Sequence, residues 1–208
     1  ILSGFIFKKY MSFSKIYSAQ TYLLRGIIVT IEEENKKNTL HNFTIVGLPD
    51  KAVDESKDRM SSAIKNSGFS SPKNSNQKIV ISLSPADIKK EGPYFDLAMA
   101  LAYLVSDGEI NFNPDKRIFL GELSLNGDLR PIKGALPLTE EAKRLGFEEI
   151  FLPLENAKEA ALVDGIKIYG AKNLKEVLDH LHTQKKDKSG KEIEKEKPKI
   201  KIHPKTQI

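Results

Sequence analysis

The sequence predicts one mixed α/β (α+β) domain over residues 12–181, followed by a polar tail. Three observations carry that reading. Strand-like and helix-like segments alternate from Ile16 to Leu181. Between Leu97 and Val105 the only polar side-chain group is the Tyr103 hydroxyl, so a helix there is apolar all round and belongs in a core. The dipeptide Asn126-Gly127 sits between two strand-like runs and supplies the positive φ angles of a hairpin turn.

Ile16 to Glu32 reads as two strands with a bend near Arg25-Gly26, and the β-branched run Ile27–Ile31 asks for at least one buried face. Asn35–Asn38 is a polar turn. Phe43–Val46 is a third strand, ended by Gly47-Leu48-Pro49. A helix follows from about Asp50 to Asn66. It has Val53, Met60, Ala63 and Ile64 on one face, and Asp54, Glu55, Lys57, Asp58 and Arg59 on a solvated face. Gly68 is placed to stop it. After a loop over residues 70–77, Ile79–Leu83 reads as a central strand.

The apolar helix is expected to run from Pro93 to Ser106. Proline suits a first helical position, and Asp96 complements the positive end of the helix dipole. Ile118–Leu125 and Leu129–Ile132 are the expected arms of a two-residue hairpin. Gly134–Leu145 is an amphipathic helix with acids early and bases late. Strands at Glu149–Leu152 and Ile166–Tyr169 follow. Asn156 with Glu159, and Asn173 with Glu176, have capping-box spacing. Leu174, Val177, Leu178 and Leu181 line the last helix.

The net charge of +5 resides in the tail. Residues 182–208 carry nine lysines against four acids, and residues 1–181 are neutral. The basic balance is therefore weak evidence for a nucleic-acid-binding domain. The tail reads as a disordered Lys/Glu-rich linker, too polar to offset the entropy of ordering. Residues 1–11 read as an upstream or vector-derived segment, because Met11-Ser12-Phe13-Ser14 looks like a natural start. The chain has no cysteine, which excludes disulfides and thiolate metal sites. The start does not have the order of a secretory signal, and a cytoplasmic protein is expected. His41, His180, His182 and His203 show no metal-ligand spacing.

Several segments together resemble the amino-terminal domain of the ComM/YifB proteins, called magnesium-chelatase-like AAA+ ATPases. They are Gly47-Leu48-Pro49-Asp50, Ala63–Phe69, Leu83–Asp87, Lys90–Pro93, Phe95-Asp96-Leu97, Leu120–Gly127 and Pro153–Ala157. The resemblance covers about residues 12–181. It implies a Lon-protease-like domain with the ribosomal-protein S-five-type fold. It further implies that a AAA+ module follows, that the whole protein assembles as a homo-oligomeric hexamer ring, and that it drives branch migration of DNA when transforming DNA recombines. The chain has no G-x-x-x-x-G-K-[ST] segment, so ATP and magnesium are implied only for a module beyond Ile208.

The same likeness locates a vestigial active site. Lon enzymes carry Lys-Asp-Gly-Pro-Ser at the turn before the apolar helix, and Tyr94 stands at the serine. The Lon lysine follows Pro-Ile-Gly-Gly-Leu, and in Pro131–Leu136 that position is Leu136. A serine nucleophile needs a base within ~3 Å, so losing both partners removes the mechanism. A peptidase with relocated residues would need Ser84 paired with Lys89 or Lys133. Ser84 precedes Pro85 at a strand end, where its ordinary role is in a turn.

Lys89, Lys90 and Lys133 flank the vestigial cleft and are candidate contacts for DNA phosphates or a partner. The competing reading is of ordinary surface lysines balanced by Asp87 and Glu91. No catalytic residue, metal ligand, membrane contact or small-molecule substrate is expected in this chain. A purely structural oligomerisation domain is the alternative role.

Overall fold

A computed structural model of the chain describes residues 12–23, 25–74 and 76–182. The expected leading segment lies outside those residues, as does the expected linker apart from His182, which ends the last helix. The strands are β1 (Ser12–Tyr22), β2 (Arg25–Lys37), β3 (Asn42–Val46), β4 (Gln77–Ser84), β5 (Arg117–Phe119), β6 (Glu122–Leu123), β7 (Leu129–Arg130), β8 (Glu149–Pro153) and β9 (Lys167–Ala171). The helices are α1 (Lys51–Asp54), α2 (Ser56–Asn66), α3 (Asp96–Ser106), α4 (Ala135–Arg144), α5 (Ala157–Ala160) and α6 (Leu174–His182). This is the mixed α/β architecture that the sequence predicts.

The main sheet has the order β1-β2-β4-β3, antiparallel except for the parallel pair β3–β4. A second sheet, β5-β8-β9, is parallel throughout, and β6–β7 form a separate hairpin. Period-two alternation decides what each strand buries. In β2, Val29, Ile31, Glu33 and Asn35 point inward, and in β4 Ile79, Ile81 and Leu83 do so. The apolar run at 97–105 becomes α3, buried along nearly its whole length against the main sheet and α2. A second apolar cluster joins α4 and α5 to the parallel sheet through Leu138, Ala142, Ile150 and Leu152. The Ser14 hydroxyl donates to the Ala102 carbonyl, and the Ser18 hydroxyl to that of Phe119, so β1 ties α3 and β5 to the main sheet. No helix among the described residues is long and apolar enough to cross a membrane.

Five local expectations are corrected. The polar turn expected at Asn35–Asn38 is mostly strand: β2 runs on to Lys37, with Asn35 buried on its inward face. The helix at 50–66 is two helices joined at Glu55, where the Ala52 carbonyl accepts from the Arg59 guanidinium. The helix expected from Pro93 starts at Asp96, because residues 92–95 form a turn bonded to Gly121. The hairpin is tighter in sequence than its expected arms, since Ile118-Phe119 belong to the parallel sheet. Its loop is Leu125-Asn126-Gly127, closed by Ser124 N–H donating to the Asp128 carbonyl, with Gly127 at φ 92°. Finally, Asn156 does not cap α5. Its side chain accepts from Ile132 N–H and donates to the Ile132 carbonyl, while Glu159 reaches the N–H of Leu136. The second expected box is real at its first half: Asn173 accepts from Glu176 N–H at 2.9 Å, and Glu176 reaches Lys172 N–H.

Candidate functional site

The turn between β4 and α3 is held from three sides. A parallel bridge joins it to the β3–α1 connection, with Lys90 N–H donating to Leu48 and Asp50 N–H to Lys90. Asp50 caps α1 through Val53 N–H at 2.8 Å, and its other oxygen accepts from Gly92 N–H at 3.1 Å. From β1, the Gln20 amide donates to the Lys89 carbonyl at 2.8 Å and accepts from Glu91 N–H at 3.0 Å. A buried polar group needs such partners. Here the partners are the turn's own backbone.

Lys90 does not stand on the surface. Its side chain is buried, and its ammonium donates to the carbonyls of Pro85 and Ile88, the latter at 2.6 Å. Burial pushes its pKa below the ordinary lysine value, against the opposing charge of Asp87. Lys89 is exposed and pairs with Glu91 at 2.9 Å, which raises its pKa. Lys133 is exposed beside Gly134, which adopts φ 75° and packs so tightly on Thr21 that a Cβ there would lie 2.7 Å from Thr21 Cγ2. Gln20 and Thr21 are consecutive in β1 and point to opposite faces. The backbone at Lys89 and at Gly134 therefore adjoins opposite faces of the β1–β2 end, and of the expected three-lysine set only Lys89 and Lys133 are exposed.

Tyr94 lies at the end of the turn, just before α3. Its half-buried ring packs against both apolar clusters, and its carbonyl accepts from Gly121 N–H. Gly92 makes room for that ring: a Cβ there would lie 2.9 Å from Tyr94 Cε2. Leu136 lies in the first turn of α4, and its N–H donates to Glu159 at 3.0 Å. Ser84 ends β4 opposite Thr30, half-buried, and is followed by a cis bond to Pro85. Among the described residues no hydrogen bond joins Ser84 to Lys89 or Lys133; Lys89 donates to Glu91 instead.

Below the turn, Asp96 does more than face a helix dipole. Its carboxylate is fully buried and accepts from Arg59 Nε at 2.6 Å, Arg59 Nη2 at 3.1 Å, Leu123 N–H at 3.1 Å and the Ser56 hydroxyl. Burial pushes its carboxyl up, and Arg59 leads the groups that oppose the shift. Arg59 thus leaves the solvated face on which helical spacing puts it and ties α2, α3 and β6 together. Sequence reading missed Gln20 and this cluster. A usable signal for Gln20 was its place in the inward series Ser14, Ile16, Ser18, Gln20, where a polar residue must find a buried partner.

His180 packs edge-on against Phe151 and at a tilt against Tyr169, whose two rings stack on each other, and burial lowers its pKa. His203 lies outside the described residues.

The family model described as subunit ChlI of Mg-chelatase matches residues 31–156, which include the second half of β2, β3, the turn and α3. Competence protein ComM of Haemophilus influenzae is 36% identical over 187 residues, covering 89% of this chain and 36% of the relative. The uncharacterized protein YifB of Escherichia coli is 36% identical over 156 residues, 74% of this chain and 30% of the relative. Lon protease 2 of Bacillus subtilis is 35% identical over 99 residues, 47% of this chain and 18% of that protein. The chain spans about a third of the length of ComM and YifB.

Proposed function

The chain belongs to the ComM/YifB, ChlI-type family, and from that membership we propose that it is a noncatalytic accessory domain of a AAA+ ATPase that remodels DNA in the cytoplasm. The observation that carries the reading is the state of the turn. Where a Lon-type site needs a free hydroxyl beside a free amine, Tyr94 packs against two apolar clusters, and Leu136, which has no amine, lies in the first turn of α4. ATP and magnesium belong to a module beyond this chain, which has no phosphate-cradling loop. The relative's printed name, competence protein, supports a role in handling DNA.

In this reading Lys89 and Lys133 contact phosphates from the two faces of the β1–β2 end. The chain then binds DNA with an affinity that falls as salt rises. Changing both lysines to alanine is expected to weaken binding several-fold and to flatten the log–log salt dependence by roughly two units, measured by fluorescence anisotropy. Unchanged affinity and slope would remove the DNA contact from these residues. The oligomerisation reading has one observation in its favour, the exposed edge of β3.

A further inference from the structure

The β1–β2 hairpin ends in an exposed apolar tip. Thr21 packs on Gly134, and Gly26 packs on α4, where an added Cβ would lie 3.0 Å from the Pro137 carbonyl oxygen. Tyr22 and Arg25, a directly opposed pair, stand one residue further out, and Leu23 follows Tyr22. All three are exposed, Tyr22 at 51% and Leu23 at 88%. Leu23 adopts φ 55°. Glycine, asparagine or aspartate takes that conformation at less cost, so the turn itself does not call for a leucine. The tip is flanked by cations. Arg25 shares a face with Tyr22 and with Gln20, which holds the backbone of Lys89, and Lys133 adjoins Gly134 on the other side. The acids nearby are engaged. Glu91 pairs with Lys89 at 2.9 Å, and Glu141, which also feels the charge of Arg25, accepts from Arg144 at 2.6 Å. Among the described residues neither Arg25 nor Lys133 is in an ion pair.

We infer that this tip is a wedge that takes the open end of a DNA duplex, where paired strands give way to unpaired ones. The inference rests on the DNA reading above and adds which form of DNA the domain selects. An exposed aromatic ring beside cations matches a strand that carries flat base faces on a chain of phosphates. Tyr22 stacks on the first unpaired base, Leu23 abuts the last base pair, and Arg25, Lys89 and Lys133 take phosphates. Forcing apolar side chains into a continuous duplex costs the unstacking of a base step. At a fork the stack is already broken, so the same contacts form without that cost. The tip therefore supplies preference for a fork, while the cations supply affinity for any DNA.

The test uses the whole 208-residue chain and fluorescence anisotropy at one salt concentration. A forked duplex with two unpaired arms is compared with the same duplex closed into a dumbbell, which has no open end. Wild type is expected to bind the fork more tightly by roughly tenfold, the order that stacking of one base on an aromatic ring supplies. Tyr22→Thr combined with Leu23→Asn removes both apolar groups, while threonine suits a strand and asparagine suits the positive φ. This variant is expected to bind fork and dumbbell alike, with its dumbbell affinity and salt slope unchanged. Lys89→Ala with Lys133→Ala is expected to weaken both complexes and keep their ratio. A fluorescent adenine analogue at the last base pair is expected to brighten with wild type and not with the tip variant. A wild type without preference for the fork, or a tip variant that keeps it, would overturn the wedge and leave the DNA reading standing; the latter is the result expected of a tip that docks on protein. A chain that binds neither DNA would overturn both.

Discussion

Replacing Asp96 by asparagine is expected to lower the unfolding free energy by about 3–5 kcal/mol, the range seen when one partner of a buried ion pair is removed. The Arg59 guanidinium would remain, largely covered, beside a group that no longer balances its charge. The Leu123 N–H and the Ser56 hydroxyl would lose a charged acceptor as well. The change strikes three elements at once, because this one carboxylate joins α2, α3 and β6. Urea denaturation measures the loss. Asp58→Asn is the contrast. Asp58 also pairs with a cation, Lys73, but both side chains are exposed, and the expected cost is below ~1 kcal/mol. Equal effects at the two sites would show that burial does not set the worth of the Asp96 pair.

The second large effect is a dependence on pH. Glu33 points inward from β2 and is fully buried, and its pKa is raised from 4.5 to about 8. Burial is the main cause. The Ser106 hydroxyl opposes it, and the charges of Asp107 and Glu34 add to it. Below about pH 4.5 the carboxyl is protonated in both folded and unfolded chains and contributes nothing to the difference. Between 4.5 and about 8 the unfolded chain ionises freely while the folded one holds its proton. The folded state then binds more protons, so stability falls as pH rises across that window and levels off above it. At about 1.4 kcal/mol per unit the loss from this residue is on the order of 5 kcal/mol. Glu33→Gln keeps the shape and cannot ionise. Its stability advantage over wild type is expected to grow from pH 5 to pH 9. An advantage that stays constant across that range would mean that Glu33 does not carry the effect.

Both residues show where sequence reading succeeds and where it stops. The apolar run at 97–105 was legible because only a core accepts a helix with no polar face. The strand at Ile79–Leu83 was legible as central for the same kind of reason, and β4 indeed lies inside the sheet. Asp96 was read through its nearest neighbours, as a charge near a helix start, whereas its partners Arg59 and Leu123 are remote in sequence and meet it only through packing. Asn156 failed in the same way: capping-box spacing is a local signal, and its side chain instead binds the backbone of Ile132. Lys90 could not be told from Lys89 by sequence, because the direction of each side chain depends on the bridge between the turn and Leu48. Strand pairing was also hidden. Alternation shows which face a residue takes, not which strand lies alongside, and Ile118-Phe119 therefore looked like the arm of a hairpin rather than part of the parallel sheet.

In the proposed function a hydrolase-like turn persists here without a working hydroxyl and amine. A fluorophosphonate probe applied to the 208-residue chain measures that most directly, with the heat-denatured chain as background. The expected result is no labelling above background. Labelling of the native chain that disappears in Ser84→Ala would contradict the claim and identify a relocated nucleophile.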